Sequence, residues 1–311
     1  MIAWLVLLQT SLTIAVAGPA TSAEYLPLHV AQAEGFFTAQ QLSVTLRSTR
    51  SDATAAEMLA NGQAELAATS LDTALRLGGT DGVPPRLIWA LTAAPPVALL
   101  VAPGRADTIR AVADLVGQTI AIPAPGTAED QALGLLLARA GVAVHRVQML
   151  SLGERGVVRA LEGGEVAAGV LGEPHVSRLV EGDKAAIVVD LRTTKGAEAA
   201  LGGPTVGAAL FAKAGAEPPA ATVRALRAAL QAAVARTISA EPDALRATLP
   251  ASVVGAPADF ALRLRGAREL FLADGRIPVE TLEHSLELIR ARAPLPVKVK
   301  LPRKPAGLLV E

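Results

Sequence analysis

Short β-rich runs alternate with helical stretches along almost the whole chain, and this alternation limits the fold more than any other feature. The β-rich runs fall at Leu12–Val16, Leu42–Leu46, Leu66–Ala68, Leu87–Leu91, Val97–Val101, Thr119–Ile122, Val147–Leu150, Ala167–Val170, Ala186–Val189 and Val206–Phe211. Helical patterns lie between many of them. At Glu129–Ala140 the residues Leu133, Leu136, Leu137 and Ala140 share one face at helical spacing, and Gly141 follows as a stop signal. Such alternation predicts parallel sheets covered by helices. From Ala220 onward the pattern turns mostly helical, with Val223, Leu226, Leu230 and Val234 as one stripe. Further helices are expected at Pro242–Thr248, Pro257–Leu272 and Pro278–Arg290, each with proline in the first turn, where its missing N–H costs nothing.

Composition excludes several function classes. The chain has 311 residues, enough for two domains. Its 29 basic and 29 acidic residues cancel, which argues against a nucleic-acid partner, because neutralising phosphates needs a basic surplus or face. There is no cysteine, which excludes disulfides, thiolate metal sites and cysteine nucleophiles. His29, His145, His175 and His284 are scattered without metal-ligand spacing, so neither metal nor cofactor is expected. Aromatic residues make up only 3%, leaving few rings to stack on a large flat ligand.

Residues 1–17 are almost wholly apolar and suggest a secretory signal with a cleavage site at Ala15-Val16-Ala17. No Lys or Arg precedes the run, however, and Leu12–Val16 followed by Ala17-Gly18-Pro19 reads equally well as a strand and its turn. The expectation is that residues 1–10 are an export or anchor remnant and Leu12–Val16 the first strand. The last stretch, Ala293–Glu311, sets four prolines among Lys298, Lys300, Arg303 and Lys304. It is expected to be a loosely held basic tail, the sharper alternative being an arm that touches anionic lipid or a partner.

Several segments, taken in order, resemble the substrate-binding proteins of ABC importers of the sulfonate, taurine, nitrate and thiamine-pyrimidine group. They are Tyr25-Leu26-Pro27-Leu28-His29-Val30-Ala31, Glu34-Gly35-Phe36-Phe37, Asn61-Gly62-Gln63-Ala64-Glu65-Leu66, Ile109 to Ala121 with Asp114-Leu115-Val116-Gly117, Gly126-Thr127, Glu162 to Val170, Glu173-Pro174-His175 and Asp274-Gly275-Arg276-Ile277. The chain departs from that pattern in carrying Gly172 where many relatives have Trp, and Glu65 where Asp is usual. It also lacks the cysteine-rich motif of the yeast-type pyrimidine synthases that share the fold. The resemblance implies an α/β type II periplasmic-binding fold of two lobes, each a mainly parallel sheet flanked by helices, joined by two crossover strands. Lobe one would comprise residues 11–100 and 205–290, lobe two residues 101–204, and residues 291–311 the tail. It further implies a periplasmic monomer without catalytic residues that delivers a small molecule to an ABC permease. The alternatives are a membrane-tethered sensor and an enzyme like the pyrimidine synthases.

In such folds ligands sit at the carboxyl ends of strands, where free backbone N–H groups and helix dipoles favour an anion. The ligand is therefore expected to be a small organic anion, with a heterocycle as second choice. The candidate ligand-binding residues are Thr21, Ser22, Tyr25, Ser70, Gly126, Thr127 and Glu173. Each has an ordinary structural role as its alternative. Thr21, Ser22 and Ser70 suit helix caps, Thr127 with Asp130 resembles a capping box, and Glu173 suits the start of a helix at Pro174. Tyr25 is expected as a lid over the ligand. Glu173 would accept from a ligand amine or ring N–H.

Overall fold

The computed structural model describes residues 10–311. The export or anchor remnant expected at residues 1–10 therefore lies, but for Thr10, outside the described residues, and Thr10 itself begins the first strand. The first part of the chain forms β1 (Thr10–Val16), α1 (Leu26–Ala33), α2 (Phe36–Ala39), β2 (Leu42–Ser48), α3 (Asp52–Ala60), β3 (Leu66–Ser70), α4 (Leu71–Leu77) and β4 (Arg86–Ala90). Gly35 separates α1 from α2 in the left-handed region, φ 76°, which an unbranched backbone takes without strain. The middle part forms β5 (Val97–Val101), β6 (Thr119–Ile122), α5 (Ala128–Arg139), β7 (Gln148–Ser151), α6 (Glu154–Glu162), β8 (Ala168–Gly172), α7 (His175–Glu181), β9 (Ala186–Asp190) and α8 (Thr194–Leu201). The chain then adds β10 (Ala208–Ala212), α9 (Ala220–Ser239), α10 (Pro242–Arg246), α11 (Ala251–Val254), α12 (Pro257–Arg268) and α13 (Val279–Arg292).

The strands make two five-stranded sheets, ordered β2-β1-β3-β10-β4 and β7-β6-β8-β5-β9. In each sheet, helix-linked strands pair in parallel: β1 with β2 and β3, β6 with β7 and β8. Where alternation alone predicts parallel sheets, the sheets are mixed. The strand that crosses from the other lobe runs antiparallel to both its neighbours, β10 against β3 and β4, and β5 against β8 and β9. The reason is connectivity: a strand that arrives from the neighbouring lobe, rather than through a helix over its own sheet, is free of the parallel crossover geometry.

Strand β5 also corrects the lobe boundary. The expected division after residue 100 would cut it, yet all five of its residues are buried within the second sheet. The crossing falls before Val97, at Pro95-Pro96, where missing N–H groups prevent ladder pairing. Strand β1 lies inside the first sheet with Ile14, Ala15 and Val16 fully buried, so cleavage after Ala17 would remove a central strand.

One hydrophobic core joins the first sheet to α1, α9, α12 and α13, and two more cover the faces of the second sheet. Helix α13 serves both lobes: Leu282, Leu286 and Ile289 enter the first core, Leu288 the second. The expected loose tail is instead docked. Leu309 bridges Leu87 at the edge strand β4, Val310 N donates to Leu87 O at 2.9 Å, Lys300 N donates to Gly82 O at 2.7 Å, and Leu308 is buried. Among the described residues no helix is long and apolar enough to cross a membrane.

Candidate functional site

A cavity of about 460 Å³ lies between the lobes, a size that suits a small organic ligand. From the first lobe it is lined by the loop after β1 and by the start of α3; from the second, by the starts of α5, α6 and α7. Helix α12, late in the chain, closes one side with Asp259 and Arg263.

The floor is acidic. Ser51 caps α3 by accepting from Thr54 N at 3.2 Å, and the next residue, Asp52, turns inward. Its Oδ1 accepts from Ser70 N at 2.8 Å, from Thr69 Oγ1 at 2.9 Å and from the Tyr25 hydroxyl at 3.3 Å. Glu24 stands beside Tyr25 and is also buried. Glu129, in the first turn of α5, faces the same space from the other lobe. Burial raises the affinity of all three carboxyls for protons. The rise is largest for Glu24, where the charges of Asp52 and Glu129 add to it. Burial, with the Asp52 and Glu24 charges, likewise raises the Tyr25 phenol.

The rim is basic and paired. His175 faces Glu154 at 3.5 Å, and this hydrogen bond holds the Glu154 carboxyl below its usual range. Arg178 of α7 pairs with Asp259 of α12, linking the lobes at the mouth. Arg192 pairs with Glu173 and, at 2.8 Å, with Asp190. Thr194 Oγ1 donates across to Glu269 O at 2.7 Å. Arg50 and Arg155 are exposed at the edge of the cavity.

The structure places the candidate residues unevenly. Thr21, Ser22, Tyr25, Thr127 and Glu173 line the cavity. Ser22 precedes the 3-10 turn Ala23–Tyr25 but makes no cap bond with its side chain. Tyr25 is 2% exposed and forms floor rather than the expected lid, because its ring belongs to the first core. Thr127 precedes α5, but Asp130 accepts from Gly126 N instead of completing a capping box, and Thr127 Oγ1 donates to Ala124 O at 3.0 Å. Both oxygens of Glu173 are engaged by the protein, through Ser177 and Arg192. Gly266 lets α12 approach here, since a Cβ would sit 2.7 Å from Glu173 Cγ.

Two candidates lie off the cavity lining. Ser70 caps α4, accepting from Thr73 N at 3.3 Å, and lines a separate small crevice. Gly126 has its N–H committed to Asp130 at 2.9 Å. Sequence reasoning missed Glu24, Asp52, Glu129, Asp259 and Arg263. The strand-end rule could have found the first three, which sit in the first helical turns that follow β1, β2 and β6. Looking there for anion donors passed over the acids. Nothing local marks Asp259 or Arg263, whose place depends on how α12 folds back.

The family model described as NMT1/THI5 like matches residues 22–244. No curated protein sequence matches the chain. Among solved structures, a protein of Bordetella bronchiseptica RB50 is 25% identical, with a TM-score of 0.77 over 97% of this chain and 94% of its own. The periplasmic aliphatic sulphonate-binding protein SsuA of Escherichia coli is 18% identical, with a TM-score of 0.69 over 90% of this chain and 91% of its own. A Candida albicans gene product described as exhibiting the generic periplasmic binding protein fold is 12% identical, with a TM-score of 0.67 over 97% of this chain and 96% of its own. The two-lobe architecture described above is that fold.

Proposed function

The chain belongs to the NMT1/THI5-like family, and from that premise we propose that it is a monomeric extracytoplasmic solute receptor, periplasmic in a two-membrane cell, that delivers its ligand to an ABC permease. The observation that carries this reading is the cavity itself: its lining is shared between two lobes that meet through crossing strands and ion pairs such as Arg178–Asp259. Such a joint opens to admit a solute and closes to enclose it. Similarity in fold to a sulphonate-binding periplasmic protein supports the same role.

Binding rather than catalysis fits the lining chemistry. Its described side chains include no lysine, and the chain has no cysteine to act as a nucleophile. The glycine at position 172 leaves that wall without a ring, so recognition rests on polar groups.

The test is a thermal-shift screen of the purified protein against pools of sulfonates, carboxylates, phosphonates, amines and pyrimidines. A true ligand at 100 times its Kd stabilises the folded state by about 2.7 kcal/mol, and small-angle scattering of the complex should report a closed molecule. If no pool shifts the melting temperature, the receptor reading fails.

A further inference from the structure

Six carboxyl side chains line the cleft, and they divide cleanly by partner. Glu154 faces His175, Glu173 faces Arg192, and Asp259 faces Arg178. Glu24, Asp52 and Glu129 form the floor and, among the described residues, have no ion-pair partner. Resting on the receptor reading above, we propose that the cleft selects a small organic nitrogen cation, a protonated amine or amidine-like group, whose N–H donors dock on Glu24, Asp52 and Glu129.

Acids in a first helical turn are common because they complement the dipole, and that accounts for the positions of Asp52 and Glu129. It does not account for Glu24, which sits in a three-residue 3-10 turn. Glu24 is only 8% exposed, yet it lines the cavity. The Tyr25 hydroxyl beside it has one proton, directed to Asp52 at 3.3 Å and also within reach of Glu24, so among the described residues the Glu24 carboxyl has at most this shared neutral donor and no charged partner. Buried carboxyls normally have a partner, and a cluster of them repels itself. The cavity is where the missing positive charge fits. The basic side chains of the lining are elsewhere: Arg50, Arg155 and Arg178 are exposed at the rim, and Arg263 is turned to the carbonyl of Val254 at 2.6 Å.

The raised proton affinity of the three acids gives the site a second signature. Without ligand the floor holds protons more tightly than ordinary carboxyls do; a bound cation favours the ionised carboxyls, so binding releases protons and tightens as pH rises through their titration. The groups that face this floor are Tyr25 from the same turn, Glu154 of α6, its partner His175 of α7, and Arg263 of α12.

The experiment sets benzamidine, 4-aminopyridine and ethylenediamine against methanesulfonate, nitrate and acetate, using the intact protein, thermal shift and calorimetry in buffers of differing ionisation enthalpy. A cationic probe should raise the melting temperature with proton release while the anions do nothing. Glu24→Gln should weaken that probe at least tenfold; Glu129→Gln, at a less deeply buried position, gives a second test should the first variant fold poorly. If anions bind and cations do not, or if neither substitution weakens the cation, the proposed ligand class is overturned while the receptor reading stands. If all six probes are silent but the broader solute screen yields a ligand, the class is likewise overturned. Silence in both overturns both.

Discussion

His29 shows how a single side chain sets a pH limit. It lies in α1, 7% exposed, and its Nε2 has no hydrogen-bond partner among the described residues. Burial lowers its pKa to about 4 from an ordinary 6.5. The folded state therefore holds fewer protons here than the unfolded chain, and stability falls as pH drops from about 6.5 towards about 4, by up to about 3 kcal/mol. The floor acids Glu24, Asp52 and Glu129 act in the opposite sense: their raised folded values mean that their contribution is lost as pH rises through those values. Urea unfolding across this range separates the two. His29→Leu should lose the acid-side decline while matching or exceeding the parent's stability at neutral pH; an unchanged slope would show that His29 is not its source. At this scale residue types are legible in the sequence but their environments are not. Tyr25 and Glu24 are neighbours in the chain, and only the position of Asp52 across the fold makes them part of one buried acidic floor.

At the scale of elements, strands were legible because short apolar runs bounded by turn residues have few other uses. Direction was not legible, since β5 and β10 read like any other strand. The tail is a second case. Its prolines correctly exclude a long helix, leaving only the 3-10 turn Pro305–Leu308, but no local pattern shows that it seals the edge of β4. Arg86 and Arg227 donate to the carbonyls of Leu309 and Val310, and Leu308 fills the first core. Deleting residues 305–311 should cost about 2–4 kcal/mol, in the range of emptying a buried leucine site, and lower the melting temperature. Ligand affinity should be preserved, because none of these residues lines the cleft. A deletion variant that melts like the parent would show that the docked tail contributes nothing.

Over the whole molecule, α13 governs how the lobes sit. Arg292 at its end pairs with Asp72 of the first lobe and reaches Asp130 of the second at 3.5 Å, while Arg76 holds Asp72 at 2.6 Å. Gln131 Nε2 donates to Thr73 Oγ1 at 3.2 Å beside them. Arg292→Ala should cost about 1–3 kcal/mol, because it leaves the buried Asp72 and half-buried Asp130 carboxylates with fewer partners. It should also increase the radius of gyration of the ligand-free protein and weaken ligand binding by population shift, without touching the cavity. Unchanged scattering would show that this clasp does not set the lobe equilibrium. The sequence by itself determined the alternating α/β class, the ten strand positions and the ordered segments that carry the family resemblance, because periodicity and turn chemistry are local. Only the tertiary structure decided the crossing point before Val97, the docking of the tail, and the sign of the charge on the cleft floor. Each depends on which distant residues meet, and whether a carboxyl is a helix ornament or a ligand's counter-charge depends on whether a cation meets it.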